Sequence, residues 1–468
     1  MGLENKAVKA GLGYTVGNIL VKGINFLTIP LFSRILTTAE FGAYNVFLSY
    51  DAILFVLIGF AMAVSVKSAH YEFGKADEYV SSISLIYIIN AVFYLIIILI
   101  GGERLSSWLS LSETALLLLV PFSFGGAVMQ LYNERISIDY NYRKYMIVAI
   151  VNSVGNVVIS LILIVTIFKE KRDIGRMVGA AATIFCLAFI LLLVMYKKAA
   201  PKFNKEFWRF GLKFSLPIVP HGISQVLLAH FDRIMISKMV GDSEAGIYSL
   251  AGNLKLVMVV ISASICTSWN TWFFSKMEKN DVKSIQKSAS VLIRLFLILS
   301  VGLMALSPEL IMVLGGPDYE LGKYVAVPMI MDAFLLFLYN IVVSGEYYTK
   351  KTHYIMLGTM MAAVINIVTN YIFIKMYGFI AAAYTTLFSY ICYLIFHMII
   401  SKKLIKFEVV EWKWILFTST VIAAAAAVDL VFVGNIIVRY IVCAVMVGAL
   451  CPPVIKFYLS VRQKSDDK

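Results

Sequence analysis

The stretch YVSSISLIYIINAVFYLIIILIGG (Tyr79–Gly102) runs for 24 residues without one charge. As an α-helix it would rise about 36 Å, enough to cross a hydrocarbon core of about 30 Å. It has no polar face to offer water. Working outward from it, similar runs start near Ala10, Gly42, Val80, Thr114, Tyr145, Met177, Lys213, Gly246, Lys287, Lys323, His353, Gly378, Trp412 and Ile436. Fourteen spans are therefore predicted, with ends uncertain by several residues. Sixty per cent of all residues are hydrophobic, 15% are charged, and the mean hydropathy is +0.84. A soluble helical protein is excluded, and the expected class is an all-α integral membrane protein.

Basic residues near span ends are retained on the cytoplasmic side. With the N-terminus inside, most of the 41 Lys and Arg fall in inner segments. The richest is KKAAPKFNKEFWRFGLK (Lys197–Lys213), between spans six and seven. KEKRDIGR (Lys169–Arg176) is an exception, basic yet placed outside. Both termini are expected in the cytoplasm. The net charge of +13 is accounted for by basic inner loops beside an anionic leaflet, so no nucleic-acid partner is implied. The segment MGLENKAVKAG is too short and polar to precede a cleavable signal region, which makes span one the expected targeting element. Lys6 breaks the myristoylation pattern. Cys186, Cys266, Cys392, Cys443 and Cys451 lie in apolar spans without paired spacing, and read as small core residues. No cofactor or metal is expected.

One phrase occurs twice. EFGAYNVFLSYD (Glu40–Asp51) and EAGIYSLAGNLK (Glu244–Lys255) share Glu, Gly and Tyr at the same spacing, and end on charges of opposite sign. Upstream, VKGIN (Val21–Asn25) matches PHGIS (Pro220–Ser224), and SRI (Ser33–Ile35) matches DRI (Asp232–Ile234). Downstream, VPFSFGGAVMQLYN (Val120–Asn133) matches VPMIMDAFLLFLYN (Val327–Asn340). VNSVGN (Val151–Asn156) then matches INIVTN (Ile365–Asn370), and GAAAT (Gly179–Thr183) matches AAAYT (Ala381–Thr385). Matches in one order on equivalent spans indicate internal duplication. Six spans return the chain to its starting side, so the halves are parallel repeats about an axis along the membrane normal. The expected organisation is a six-helix bundle over residues 1–200, a second over 201–405, and two further spans with a tail over 406–468.

Ionisable groups deep in spans face a cavity or a partner, because burying them in lipid is costly. Repeat alignment pairs Lys22 with His221 and Asp51 with Lys255. All four lie roughly 7–12 residues into their spans, about 10–18 Å along the helix. Lys22 and Lys255 are read as cavity-facing. For Asp51 two readings stand, a structural ion pair with Lys22 or Lys255 and a proton-coupling role. Asp332 replaces Gly125 of the first half and is a second candidate for protonation. Arg294 sits nearer the inner surface, where function and snorkelling are both open. Asp232 and Arg233 read as an interfacial pair. Asn152, Asn156, Asn366 and Asn370, spaced i, i+4, suit hydrogen bonds between helices, and Pro30, Pro217 and Pro220 suit bends in spans one and seven.

Four stretches carry a family resemblance: LTIPLFSRILTTAEFGAYNVFLS (Leu27–Ser49), FSLPIVPHGISQVLLAHFDRIMISKMVGDSEAGIYSLAGNLK (Phe214–Lys255), LGGPDYELGKYVAVPMIM (Leu314–Met331) and AAVINIVTNYIFIKMYGFIAAAYTT (Ala362–Thr386). The chain resembles, over its whole length, the bacterial polysaccharide flippases of the multidrug/oligosaccharidyl-lipid/polysaccharide exporter superfamily. Fourteen spans are similar to its lipid II, capsule and O-antigen branches, whereas its multidrug exporters usually have twelve. The resemblance implies a V-shaped pair of six-helix bundles in the bacterial cytoplasmic membrane. They would move an undecaprenyl-diphosphate-linked oligosaccharide from the inner to the outer leaflet, alongside polysaccharide-assembly proteins and with H⁺ or Na⁺ as candidate coupling ions. Relatives have a cationic cavity; Lys22, Lys255, His221 and Arg294 are the residues here that would bind the diphosphate, with Asp51 and Asp332 as coupling or ion-pair groups. Asp51 departs from a purely cationic wall and is read as neutralising Lys255 in the empty cavity. The resemblance also implies a tail-helix groove for the polyprenyl chain. The alternative is a multidrug/cation antiporter on the same scaffold. An enzyme is not expected, since no large outer loop, Asp-x-Asp pair or metal-spaced cluster is present.

Overall fold

The computed structural model describes residues 3–466, and among these there is no β-strand. The chain ends expected in the cytoplasm, residues 1–2 and 467–468, lie outside the described residues. In order, the helices are α1 (Leu3–Ile35), α2 (Thr38–Gly59), α3 (Val66–Phe73), α4 (Ala76–Leu109), α5 (Glu113–Ile138), α6 (Tyr142–Thr166), α7 (Arg172–Lys198), α8 (Lys205–Ser215) and α9 (Val219–Met239). They continue with α10 (Asp242–Glu278), α11 (Val282–Gly315), α12 (Gly322–Val342), α13 (Ser344–Tyr348), α14 (His353–Tyr377), α15 (Ile380–Ile405), α16 (Trp412–Val431) and α17 (Ile436–Asp466). Thirteen stretches of these described helices are long and apolar enough to span a membrane. The remaining expected span is α9, 21 residues long, whose apolar run is interrupted by His221, His230, Asp232, Arg233 and Lys238. About fourteen membrane helices is therefore the observed architecture.

Local sequence explains the helix starts. Thr37 caps α2 through a reciprocal pair: its hydroxyl accepts from the Glu40 amide at 3.2 Å, and the Glu40 carboxylate accepts from the Thr37 amide at 2.8 Å. Ser112 and Asp281 cap α5 and α11 in the same way through one oxygen each. The two prolines at the start of span seven act by position. Pro217 lies in a 3₁₀ turn between α8 and α9, and Pro220 sits in the first turn of α9, where no amide hydrogen is missed. Pro30 lies inside an unbroken α1.

The chain packs as two compact units, residues Met1–Gly246 and Ile247–Lys468. In the first, Ile58, Met62, Tyr79, Tyr87, Val128 and Leu131 form one buried cluster. The basic connector contributes α8, an amphipathic helix whose Phe207 joins that cluster. Gly211 lies where a Cβ would fall 2.4 Å from Met62 and 2.7 Å from the Tyr79 hydroxyl. Small residues also let α5, α6 and α7 close up: a Cβ on Gly125 would stand 2.9 Å from the Ile184 backbone, and one on Gly179 2.4 Å from Ser160. In the second unit α12 is the central helix, and Phe296 of α11 stacks on its Phe337 with centroids 4.1 Å apart. Asn366 donates to Thr386 at 2.8 Å and Asn370 accepts from Thr385, tying α14 to α15, while Asn370 donates to Asn366 within α14 at 3.2 Å.

The basic segment between α6 and α7 has a structural use. Arg172 donates to the Ile35 carbonyl at 2.8 Å, and its amide donates to Glu40, so it ties the start of α7 to the α1–α2 turn. Arg176 is buried. Its guanidinium lies 4.0 Å from the Phe32 ring centre and 4.5 Å from that of Tyr44, and it donates to Ser160 at 2.7 Å and to Asn156. These arginines are engaged by protein oxygens and rings, which gives their charges partners within the fold.

Candidate functional site

The duplicated phrase begins at a helix crossing. Gly42 of α2 and Gly246 in the first turns of α10 are repeat partners, and each abuts the backbone of the opposite helix. A Cβ on Gly42 would fall 1.8 Å from the Asp242 carbonyl oxygen, and one on Gly246 would fall 2.1 Å from that of Thr38. Thr38 and Asp242 are themselves repeat partners, so the contact is twofold in pattern. The Thr38 and Ser243 hydroxyls share a hydrogen bond of 2.6 Å beside it. Only glycine allows this approach.

Two and a half turns further on, the phrase ends on its charges. In the first unit the half-buried Asp51 accepts a hydrogen bond of 2.6 Å from Ser123 of α5. In the second unit the Lys255 ammonium lies 3.4 Å from a carboxylate oxygen of Asp332 on α12, and 4.9 Å from the centre of the Tyr390 ring on α15. Asp332 is fully buried, and the Lys255 side chain is 20% exposed. The acid that faces Lys255 is thus Asp332, one helix over in the same unit. A separation of 3.4 Å is longer than the 2.7–2.9 Å of a tight charge-assisted bond.

The other candidates are more dispersed. Lys22 is an exposed residue on α1. His221 is half-buried on α9, and its Nδ1 is buried without a hydrogen-bond partner among the described residues. Arg294 of α11 is laid flat on Trp414 of α16, with 4.0 Å from guanidinium carbon to ring centre, and lines a cleft of about 330 Å³ with Lys413 and Pro453. It therefore contacts the tail helices. Asp232 is buried on α9, and the neighbouring Arg233 lies 3.0 Å from His230 Nδ1.

One polar pair escaped the sequence reading. His397 Nδ1 of α15 and Glu346 of α13 lie 2.6 Å apart, both completely buried against Tyr339 and Tyr393. Fifty-one residues separate them, and neither lies in a motif; the only sequence signal was a His and a Glu inside apolar surroundings. Among the described residues no group of three or more His, Cys, Asp or Glu would hold a metal ion.

Comparison with known proteins agrees with this architecture. The family model described as "Polysaccharide biosynthesis protein" matches residues 7–270, more than half of the chain, and the MatE model matches residues 217–372. The succinoglycan biosynthesis transport protein ExoT of Rhizobium meliloti is 26% identical over 67% of this chain and 64% of its own length. The probable low-salt glycan biosynthesis flippase Agl15 of Haloferax volcanii is 20% identical over 87% of this chain and 86% of its own. Among solved structures, lipid II flippase MurJ in an inward closed conformation superposes with a TM-score of 0.75 at 14% identity, covering 96% of this chain and 99% of that one. An inward-facing multidrug resistance transporter of the MATE family gives 0.59 at 13% identity, over 87% and 95%. These likenesses, an all-helical multi-pass architecture and a duplicated span pair with ionisable groups at mid-helix lead to one assignment: the chain belongs to the polysaccharide biosynthesis protein family, within the flippase and exporter superfamily that also holds the MATE transporters.

Proposed function

We propose that this protein flips an undecaprenyl-diphosphate-linked oligosaccharide from the inner to the outer leaflet of a bacterial cytoplasmic membrane by alternating access. The observation that carries the reading is Lys255. It is a cation inside a spanning helix, kept there by an acid at 3.4 Å and an aromatic face, as a residue with work to do on an anionic substrate would be. A diphosphate brings about two negative charges, and ammonium groups would replace part of its hydration. In this mechanism Lys22 and Lys255 meet the phosphates, with His221 beside them. Asp332 takes Lys255 back when the substrate leaves, so the empty site does not retain a stray anion. The termini and the basic connector face the cytoplasm, and the two parallel repeats rock about their common axis. An interior-negative potential would favour outward movement by about 2.3 kcal/mol per charge per 100 mV if the whole field is crossed.

The test is complementation of a deletion strain with wild type, Lys22→Ala or Lys255→Ala at matched expression. The reading expects surface glycan restored by wild type only, with lipid-linked precursor accumulating on the inner leaflet in the variants. Full restoration by both variants would remove the lysines from the mechanism. A second reading is a multidrug/cation antiporter, favoured by the carboxylates of Asp51 and Asp332 within spans and by the similarity to MATE transporters. Unchanged glycan on deletion, with impaired dye extrusion, would select it. H⁺ or Na⁺ coupling belongs to either reading and is tested by the ion dependence of transport.

A further inference from the structure

The cleft beside Arg294 presents a cation that the proposed transport cycle does not use. It lies between α11, α16 and α17, all in the second unit, and its volume of about 330 Å³ is within the range of small-molecule sites. Arg294 is half-buried, lines the cleft, and rests on the Trp414 ring at 4.0 Å. It is turned away from the Lys255–Asp332 link. Phe296, two residues on and so about 200° round the helix, is the residue of α11 that stacks on α12.

The charge in the cleft does not cancel. Its second cation, Lys413, is paired with Glu411, whereas Arg294 has no ion pair among the described residues. Lys287, two turns before Arg294 on the same face of α11, and Lys456, one turn past Pro453, have none among them either. Lys287 reaches across to α17, with its ammonium 5.8 Å from the centre of the Phe457 ring. One uncompensated guanidinium thus faces the cleft, with two exposed lysines beside it.

The wall contributed by α17 supplies an acceptor. Pro452 and Pro453 lie inside that helix and have no amide hydrogen, so the carbonyls of Gly448 and Ala449 lose their usual helical donor. Ala449 is exposed and lines the cleft. The other lining residues, Trp414, Phe417, Leu450 and Pro453, are apolar. Exposed Val445 and Ile441 continue that apolar surface one and two turns back along α17. Trp412, Lys413 and Trp414 open α16 with the aromatic and basic residues that favour the membrane–water interface. Arg294, stacked on Trp414, is therefore at headgroup depth.

We propose that this cleft binds an anionic glycerophospholipid of the phosphatidylglycerol type. Its phosphodiester meets Arg294, a headgroup hydroxyl donates to the Ala449 carbonyl, and an acyl chain lies along Val445 and Ile441. Basic pockets between membrane helices suit anionic headgroups, and arginine matches phosphate with two parallel donors. One phosphodiester charge matches one uncompensated guanidinium. A zwitterionic lipid would bring its ammonium up to Lys413 and Arg294, and a diphosphate carries about two charges. The ligand is a resident bilayer lipid, so the site stands whether or not the cargo is a lipid-linked oligosaccharide.

The test titrates full-length protein, delipidated in detergent, with phosphatidylglycerol or phosphatidylethanolamine bearing brominated acyl chains, which quench nearby tryptophan fluorescence. Phosphatidylglycerol should quench saturably at lower lipid fraction than phosphatidylethanolamine, and Trp414→Phe should remove that component. Arg294→Ala should weaken binding about ten- to a hundredfold, as loss of a charged hydrogen-bond donor does. Arg294→Lys, which keeps the charge without the planar fork, should fall between and guards against loss through misfolding. Equal quenching by the two lipids would overturn the proposal and leave the cleft to bulk lipid. Unchanged quenching in Arg294→Ala or in Trp414→Phe would overturn it too. Displacement of phosphatidylglycerol by undecaprenyl diphosphate at lower concentration would instead assign the cleft to cargo and refute the resident lipid. The flippase reading fails separately, if deletion leaves surface glycan intact whatever the lipids do.

Discussion

The glycine crossing makes a quantitative prediction. In Gly42→Ala the new methyl would stand 1.8 Å from the Asp242 carbonyl oxygen, and in Gly246→Ala 2.1 Å from that of Thr38, where ordinary contact begins at 3.4 Å. The helices must therefore separate by about 1.6 Å and 1.3 Å respectively, because a backbone oxygen cannot rotate aside as a side chain would. Overpacking of this kind costs about 1–3 kcal/mol. If the strain is relieved by opening, about 2 kcal/mol shifts the closed-to-open ratio roughly thirtyfold. The assay is a disulfide between Thr38→Cys and Ser243→Cys, whose native hydroxyls are 2.6 Å apart. Oxidation should lock the crossing in an otherwise wild-type chain, with crosslinking much reduced when Gly42→Ala is added. Gly23→Ala is the control, since a Cβ there meets nothing within 4 Å and should leave the yield unchanged. Folded Gly42→Ala and Gly246→Ala proteins that crosslink at the wild-type rate would refute the reasoning.

Removing Lys255 leaves the buried Asp332 without its ammonium, so Lys255→Ala should destabilise the protein by about 3–5 kcal/mol; Lys255→Ala with Asp332→Ala should recover much of that loss, measured by thermal unfolding in detergent. His397→Phe should cost about 1–3 kcal/mol by leaving the Glu346 carboxyl unpartnered in an apolar setting, and adding Glu346→Leu should offset part of it; a simple sum of the single effects would argue against the pairing. At the α10–α11 turn, hydrogen bonds from Lys276 and Ser284 hold the Asp281 carboxyl down at about 2. A depressed folded value gives a contribution present above the ordinary carboxylate range of about 4 and lost as pH falls towards 2. A melting profile between those values should lose an increment in wild type that Asp281→Asn lacks.

How far the sequence could be read depended on the range of the interaction. A bilayer demands runs of about 20 apolar residues, and that demand is local, so most spans stand out in composition alone. Span seven is the instructive exception, because α9 carries five ionisable residues; its apolar run is interrupted, and its match to span one supports it. The glycines of the duplicated phrase were visible as a pattern, although their purpose was not, since it required the facing carbonyls. The amphipathic α8 was hidden in a segment that reads as a charged connector. Its Trp208 donates to the Ser82 carbonyl at 3.1 Å, a partner 126 residues away. Pairings such as Glu346 with His397 depend on the rotation of each helix about its own axis, which no single apolar run specifies. The same holds for Arg294, legible as a deep cation while its Trp414 partner lies 120 residues further on.

The opposite charges at the ends of the duplicated phrase follow from room on the facing helix. Each unit builds one polar link between the second and fourth spans of its repeat, Asp51 to Ser123 and Lys255 to Asp332. In repeat register Asp332 corresponds to Gly125, and Ser123 to Ile330. An acid at position 125 is impossible as the first unit is packed, because even a Cβ would stand 2.9 Å from the Ile184 backbone. The fourth span there can offer only the hydroxyl of Ser123, two residues earlier. A buried hydroxyl suits a carboxylate or a carboxylic acid as its partner, and would leave an ammonium without a counter-charge. In the second unit, position 332 is free to carry an acid, and a lysine opposite it is then compensated. The close approach of α5 and α7 therefore decides the sign of residue 51, and its absence at Asp332 allows residue 255 to be a cation. Replacing Gly125 by Asp together with Asp51→Lys should fail to transplant the second unit's pair, since the obstruction is backbone. Successful folding of that double variant would show that α7 yields more readily than its packing indicates.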